Sequence, residues 1–184
     1  RRGVARRAMS ATVLEGERVS LHPIERDDLQ FIRDEKTDSR VRRSLGWPYP
    51  ENAAQIGEYF EDTLSDGDGI HLLVVGEGEP AGTVSFHEIS DDGRTAELGY
   101  WIAPERQGRG YATAAVRLLL AYGFEQRGFH RVEARIFERN DASRAVVEKA
   151  GFTHEGRTRD SEFIDGAYRD VDVYGLLADE YASA

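Results

Sequence analysis

Short stretches in which apolar residues alternate with polar ones, or form a brief continuous run, recur along the chain. Such stretches are typical of β-strands that bury one or both faces, because successive side chains of a strand point to opposite sides of the sheet. Turns rich in glycine and aspartate separate three of these stretches at hairpin spacing. The pattern predicts seven strands, which cover residues 18–24, 70–75, 81–89, 94–102, 131–137, 152–163 and 168–177.

Apolar residues spaced three or four positions apart predict helices between these strands. In residues 52–64, for example, Ile56, Phe60 and Leu64 fall on one helical face. The resulting order is an antiparallel meander, then one strand–helix–strand unit, then a hairpin. This order predicts an α+β fold, because a doubly wound sheet requires a regular alternation of strands and helices. The other helices are predicted over residues 25–36, 111–126 and 142–150.

The length of 184 residues corresponds to one domain. We expect residues 1–12 to be a disordered N-terminal extension and residues 13–184 to form the domain. Basic residues 1–7 are not followed by the apolar stretch of a secretory signal, and the longest apolar runs are too short to span a bilayer. A cytoplasmic location without membrane association is therefore expected.

The composition excludes several kinds of chemistry and partner. Asp and Glu total 34 against 24 Lys and Arg, which gives a formal net charge of -10. An acidic chain repels nucleic acid phosphates, so nucleic acid is not an expected partner. The absence of cysteine excludes disulfides, thiolate metal sites and a cysteine nucleophile. The five histidines show no metal-ligand spacing, so no metal is expected and they are interpreted as structural.

A glycine-rich segment joins a predicted strand to the helix that begins near Tyr111. Gly108 and Gly110 allow the backbone to approach a ligand closely, and the amides at the start of a helix suit an anion such as phosphate. The segment is neither of two well-known phosphate loops. Thr113 stands where a dinucleotide fingerprint needs a third glycine, and Gly110 is not followed by the Lys of a P-loop. By itself the segment is also compatible with a plain turn.

Sequence motifs on both sides of the glycine-rich segment indicate its function. The Gln-x-x-Gly-x-Ala pattern that begins at Gln107, after Ile-Ala-Pro at residues 102–104, resembles motif A of the GNAT superfamily of N-acetyltransferases. The Asn-Asp-Ala-Ser of residues 140–143 and the Lys-Ala-Gly-Phe of residues 149–152 resemble motif B. Residues 152–170 are similar to the RimJ/RimL branch, which acetylates N-terminal amines of proteins. The resemblance covers nearly the whole domain.

The resemblance implies a fold and an acyl donor. The fold is a mainly antiparallel seven-stranded sheet, splayed between its fourth and fifth strands and flanked by about four helices, with acetyl-CoA in the gap. Backbone groups around Ile102 would pair with the pantetheine arm, Asn140 would bond the same region, and Arg109 would add charge beside the phosphates. The residues implied for acetyl-CoA are Ile102, Gln107, Gly108, Arg109, Gly110, Tyr111, Ala112, Thr113 and Asn140.

Acetyl transfer to an amine requires that the amine be neutral, so a base is sought. Glu97 is one candidate, because many superfamily members place a base on this strand. Glu162 is the other, because it matches the carboxylate of the RimL-like tail. Either residue could instead be a solvated carboxylate, and the choice between them stays open.

Ser143 is the residue predicted to act on the leaving group. It matches the RimL-like serine that faces the CoA sulfur, and a hydroxyl there would hydrogen-bond the thiolate. The same position also suits a helix N-cap or first-turn residue. Many superfamily members use a tyrosine acid in the following helix, but Ala145, Val146 and Val147 offer none.

The acceptor is less constrained by the sequence. Trp47 and Tyr49 fall in a proline-broken loop that lines the acceptor pocket in this branch, although they could equally anchor that loop in the core. The α-amine of a protein N-terminus is the predicted acceptor. A polyamine, aminoglycoside or amino acid is the alternative, and a CoA-binding module without catalysis is a third hypothesis. The sequence neither predicts nor excludes that the chain forms a homodimer.

Overall fold

The computed structural model describes residues 11–46, 51–65, 69–164 and 166–182. These residues contain eight strands in a single sheet, in the order β1-β2-β3-β4-β5-β6-β8-β7. Neighbouring strands are antiparallel except β5 and β6, which are parallel. The strands are β1 (Leu14–Glu15), β2 (Ser20–Pro23), β3 (Ile70–Gly76), β4 (Glu79–Ser90), β5 (Thr95–Ile102), β6 (Arg131–Phe137), β7 (Thr153–Ile164) and β8 (Ala167–Leu177).

Helices lie on both faces of the sheet. Residues of α4 and α5 join the main core with apolar side chains of the strands, whereas residues of α1 and α2 pack against Trp101 on the opposite face. Wider π-helical turns extend α3 over Phe60–Ser65 and α4 over Tyr122–Arg127. The described helices are α1 (Leu29–Thr37), α2 (Ser39–Ser44), α3 (Ala53–Tyr59), α4 (Tyr111–Ala121), α5 (Asp141–Lys149) and α6 (Ala178–Tyr181).

The mixed α+β fold predicted from the sequence is confirmed, and two of its counts are corrected. In the described residues the sheet has eight strands rather than seven, because β1 adds two residues that pair with β2. Six α-helices are described rather than about four, because α2 spans six residues and α6 four. Elements this short contain no full repeat of apolar positions, so periodicity does not reveal them.

The sheet splays between β5 and β6, as the resemblance implied for the corresponding strands. Their parallel pairing covers Thr95↔Arg131, Ala96↔Val132 and Glu97↔Glu133 and then stops. Beyond it, β5 remains paired with β4 up to Ile102, and β6 remains paired with β8 up to Phe137. A gap therefore opens between the carboxyl-terminal halves of the two strands.

A buried carboxylate joins β8 to β7 and α5. The Asp172 side chain is 3% exposed and accepts hydrogen bonds from Arg157 Nε at 2.6 Å and Arg144 Nη2 at 3.3 Å. His154 Nε2 lies 3.3 Å from the same carboxylate. The Arg157 hydrogen bond is the main reason why the pKa of Asp172 is lowered. This ionic cluster fixes the far edge of the sheet against the helix that follows β6.

None of the described helices is long and apolar enough to cross a membrane.

Candidate active site

A cavity of about 550 Å³ occupies the gap between β5 and β6. Its wall includes residues of both splayed strands, of β3 and β4, of α1, and of the first turn of α5. The predicted catalytic residues Glu97, Ser143 and Glu162 all line it, although they come from β5, α5 and β7. Asn140, which was predicted to contact the acyl donor, lines it as well. We call this space the active-site cavity.

The first turn of α5 is held from two sides. The Asn140 side chain accepts a hydrogen bond from Ser143 N at 3.1 Å, so Asn140 caps the helix. Ser143 therefore stands in the first turn and is not the N-cap residue. Across the gap, Tyr100 Oη donates to the Ser143 carbonyl at 3.0 Å. Burial raises the pKa of Tyr100 to about 12, so its phenol stays protonated near neutral pH.

Glu97 faces a histidine on the neighbouring strand. His87 on β4 is directly opposite Glu97 on β5, and its Nε2 lies 3.3 Å from Glu97 Oε1. Gly99 leaves room for the imidazole, because a Cβ there would lie 2.9 Å from His87 Cε1. This pair is not apparent in the sequence, since the two residues become neighbours only through the register of the β4–β5 ladder.

A second histidine lines the same wall. His71 on β3 contacts the cavity, and its pKa is lowered first by burial and then by the nearby His87. It is therefore neutral near pH 7, since the ordinary pKa of histidine is about 6.5. Two of the five histidines interpreted as structural thus border the space that holds the predicted catalytic residues.

Glu162 sits among arginines at the other side of the cavity. Its carboxylate is 3.9 Å from Arg135 Nη2 on β6, and half of its side chain is exposed. Arg169 is its directly opposed partner on β8. This carboxylate therefore remains accessible to a substrate while it is flanked by positive charge.

A buried ammonium completes the charged groups of the cavity. Lys36 Nζ pairs with Glu51 Oε2 at 2.6 Å and lies 4.3 Å from the ring centroid of Tyr59. The charged side chains among the described lining residues are therefore two carboxylates and two cations: Glu97, Glu162, Lys36 and Arg135. Among these described lining residues carboxylates and cations are equal in number, and Lys36 is already paired with Glu51.

The glycine-rich segment between β5 and α4 has an open backbone. Gly108 and Gly110 adopt left-handed φ values of 74° and 78°. A Cβ at Gly108 would meet no atom within 4 Å, and one at Gly110 would meet Arg18 Nη1 at 3.9 Å. Gln107 Nε2 donates to the Ile102 carbonyl at 2.9 Å, which ties the segment to the end of β5. First-turn amides of α4 have no acceptor within the helix, so the segment fits phosphate groups.

The remaining residues implied for the acyl donor differ in what they can offer. Arg109 Nη1 pairs with Glu77 Oε2 at 2.8 Å, and both side chains are exposed. The Tyr111 side chain is buried in the core, so this residue offers its backbone amide. Ala112 and Thr113 follow it in the first turn of α4. Trp47 and Tyr49, predicted for the acceptor pocket, lie outside the described residues.

In the part of the chain that the structure describes, no three His, Asp or Glu side chains are grouped so that they could hold a metal ion.

Comparison with known proteins shows the family to which this chain belongs. Residues 18–153 match the family described as "Acetyltransferase (GNAT) domain". Spermidine N(1)-acetyltransferase of Escherichia coli K12 is 32% identical over 156 residues, which cover 83% of this chain and 82% of that protein. Ribosomal-protein-serine acetyltransferase of the same organism is 28% identical over 185 residues, covering 93% and 99%. YdaF of Bacillus subtilis is 31% identical over 172 residues, covering 90% and 94%.

Solved structures agree with the sequence relatives. Spermidine N-acetyltransferase of Vibrio cholerae, in complex with CoA and spermine, superposes with a TM-score of 0.83 at 26% identity, covering 91% of this chain and 99% of that one. RimL, the ribosomal L7/L12 alpha-N-protein acetyltransferase, superposes with a TM-score of 0.84 at 24% identity, covering 92% and 99%, and supports the fold. The chain belongs to the GNAT family of N-acetyltransferases, enzymes whose acyl donor is acetyl-CoA.

Proposed function

We propose that this acetyltransferase transfers the acetyl group of acetyl-CoA to the α-amine of a protein N-terminus. The observation that carries the proposal is the active-site cavity, whose described wall holds Glu97, Ser143 and Glu162 within a balanced set of charges. In this proposal one of the two carboxylates accepts the amine proton, and Ser143 acts on the leaving sulfur.

The charge balance of the cavity favours an α-amine over a polyamine. A polyamine carries further ammonium groups besides the one that is acetylated, and each would need a carboxylate in the pocket. Both carboxylates of the described lining already have basic neighbours, because His87 lies beside Glu97 and Arg135 lies near Glu162. An acceptor with a single amine needs fewer free carboxylates in the cavity.

The cost of deprotonation points the same way. At pH 7 a lysine-like amine with a pKa near 10.4 costs about 4.6 kcal/mol to deprotonate, whereas an α-amine with a pKa near 7.8 costs about 1 kcal/mol. The Glu97 side chain is 20% exposed and that of Glu162 is 49% exposed. A weak base suffices for an α-amine, whereas a lysine-like amine demands a stronger one.

The proposed chemical step uses these groups as follows. The ammonium form of the acceptor first gives a proton to Glu162 or Glu97, which passes it to the solvent. The neutral amine nitrogen then forms its bond to the acetyl carbonyl carbon as the carbon–sulfur bond breaks, and the same carboxylate takes the second proton that the nitrogen loses. The Ser143 hydroxyl donates a hydrogen bond to the sulfur as negative charge develops there. The carboxylate then returns its proton to the solvent, and the CoA thiolate leaves with a proton drawn from water.

The acyl donor would be held by the segment between β5 and α4. The amides of residues 107–113 would take the pyrophosphate, since Gly108 and Gly110 leave their backbone side open. Asn140 and backbone groups near Ile102 would contact the pantetheine arm. The Ile102 carbonyl already accepts from Gln107, so another backbone group of β5 would serve the arm.

A polyamine acetyltransferase is the second candidate, because spermidine acetyltransferases are among the relatives at 32% identity. A thiol-release assay with acetyl-CoA separates the two. The acceptors are a peptide with a free N-terminus, the same peptide blocked at its N-terminus but carrying one lysine, spermidine, and an aminoglycoside. We expect turnover to be highest with the free N-terminus and mass spectrometry to locate the acetyl group on its α-amine. A higher kcat/KM for spermidine overturns the proposal.

A further inference from the structure

A second space adjoins the active-site cavity and has a different electrostatic character. It measures about 370 Å³ and shares the lining residues Ser44, Phe137 and Asn140 with the cavity, so the two are adjacent. The charged residues that line it are four arginines and one glutamate: Arg40, Arg43, Arg139, Arg169 and Glu138. We call this space the arginine groove. Four cations against one carboxylate are notable in a chain whose net charge is -10.

Two of these arginines are only loosely held. Arg139 Nε and Arg169 Nη1 each lie 3.8 Å from the same oxygen of Glu138. Charge-assisted hydrogen bonds are about 2.7–2.9 Å long, so one carboxylate serves two guanidinium groups at more than bonding distance. Arg40 differs, because Asp38 and Glu105 accept from it at 2.7 Å and 2.8 Å. Arg139 and Arg169 therefore keep donors for an incoming anion.

The groove lies within a few residues' reach of the proposed acceptor site. Arg169 and Glu162 are directly opposed on β8 and β7, so their side chains share one face of the sheet. Directly opposed residues have Cβ atoms about 5 Å apart, and an extended peptide advances about 3.3 Å per residue. A peptide whose α-amine lies at Glu162 would thus place its second to fourth residues beside the arginines.

We propose that the arginine groove binds acidic side chains at the second to fourth positions of the acceptor. The preferred substrate is then a protein N-terminus with Asp or Glu close behind the α-amine. This inference rests on the proposed function, because it assumes a peptide acceptor. The same groove disfavours a polyamine, since Arg139 and Arg169, which share one carboxylate, would repel a polycation.

Two peptides that differ only in charge test the inference. Both begin with the same residue, and positions two to four are Glu in one and Gln in the other. We expect the protein to acetylate the Glu peptide with a kcat/KM at least five-fold higher at low salt. The preference should shrink in 1 M salt, where the Debye length falls to about 3 Å.

Substitutions then locate the preference. Arg139→Gln and Arg169→Gln should each lower kcat/KM for the Glu peptide at least three-fold more than for the Gln peptide. Arg26→Gln is the matched control, because its side chain is 69% exposed and lines neither cavity. It removes the same charge and should leave the ratio between the two peptides as in the unchanged protein.

The possible results are distinguishable. Equal kcat/KM for both peptides overturns the groove inference while the proposed function stands. A rise in the KM for acetyl-CoA in the two groove variants, with no change in the peptide ratio, assigns the arginines to the acyl donor and overturns it as well. Turnover of spermidine but of neither peptide overturns the proposed function and, with it, this inference.

Discussion

The phenol of Tyr100 donates a hydrogen bond to the backbone carbonyl of Ser143 at 3.0 Å, and this bond spans the gap in the sheet. Tyr100 belongs to β5 on one side of the gap, whereas Ser143 belongs to the helix that follows β6 on the other. Elsewhere in the gap the two strands have ceased to pair. The bond therefore sets the distance between one wall of the active-site cavity and the serine on the opposite wall.

Replacing Tyr100 by Phe removes this bond but keeps the ring. The free energy of unfolding should fall by about 1 kcal/mol, which is typical for one hydrogen bond. Because the position of Ser143 is no longer fixed, kcat should fall several-fold as well. Urea denaturation and steady-state kinetics measure the two effects.

Tyr174→Phe is the control for that variant. Its phenol bonds Glu148 at 3.3 Å, also between a strand and α5, but it does not line the active-site cavity. We expect a similar loss of stability without a comparable loss of kcat. An equal fall of kcat in both variants would show that general loosening of α5 is the cause.

Gly110→Val should abolish acetyl-CoA binding, because its side chain would occupy the open side of the phosphate segment. Valine is strained at a φ of 78°, so backbone strain must be separated from the loss of the site. Gly78 is the matched control position, because its φ is also 78° and a Cβ there would meet no atom within 4 Å. Gly78→Val should lose similar stability and still bind acetyl-CoA in calorimetry. Unchanged affinity in a folded Gly110→Val protein would remove the segment from the binding site.

Most of the fold was predictable from local pattern, and the site only in part. Strand β6 and the start of α4 at Tyr111 follow from apolar periodicity and glycine placement, which act over a few residues. The His87–Glu97 pair depends on the register of two strands, and the Tyr100–Ser143 bond joins residues 43 positions apart. Register and long-range contacts arise from packing of the whole sheet, so no local signal encodes them.

The arginine groove illustrates the same limit. Arg40, Arg139 and Arg169 come from α2, the β6–α5 connection and β8. In the sequence they are ordinary members of a chain in which acidic residues prevail. Only the topology, which places β8 between β6 and β7, brings them to one surface.

Ser143→Ala should lower kcat about ten-fold or more while the KM for acetyl-CoA stays within a few-fold. The hydroxyl matters mainly when charge develops on the sulfur, so its loss affects the transition state more than binding. The helix should remain intact, since Asn140 provides the cap. Thermal denaturation checks that point. A raised KM with unchanged kcat would mean that the hydroxyl serves binding alone.

Asp172 should make stability depend on acidity. Its pKa is lowered in the folded protein by Arg157, whereas an unfolded Asp has a pKa of about 3.9. The contribution to stability is therefore complete above pH 4 and is lost as the pH falls through the lower folded-state value. Asp172→Asn should lower the free energy of unfolding at pH 7 by about 2–3 kcal/mol, because charged hydrogen bonds are lost. Its Tm should also vary less with pH between 4 and 2 than that of the unchanged protein; equal variation would contradict the assignment.

The two candidate bases are separated by acceptors of different pKa. We expect Glu162→Gln to lower kcat/KM more for a lysine-like amine than for an α-amine, because the deprotonation costs differ by about 3.5 kcal/mol. Glu97→Gln should be milder, and His87→Gln should resemble it, since the imidazole lies 3.3 Å from that carboxylate. The measurement is kcat/KM for both acceptors across pH 6 to 9.

The pattern of losses then identifies the base. If Glu97→Gln lowers kcat/KM far more than Glu162→Gln for every acceptor, Glu97 on β5 is the base that accepts the proton. Glu162 then serves only to attract the amine. His87 would then be a positioning residue, and His87→Gln should shift the pH profile of kcat/KM as well as lower it. If all three variants, together with Ser143→Ala, keep nearly full kcat, none of these residues carries the chemistry. Orientation of an amine that arrives already neutral would then account for the rate.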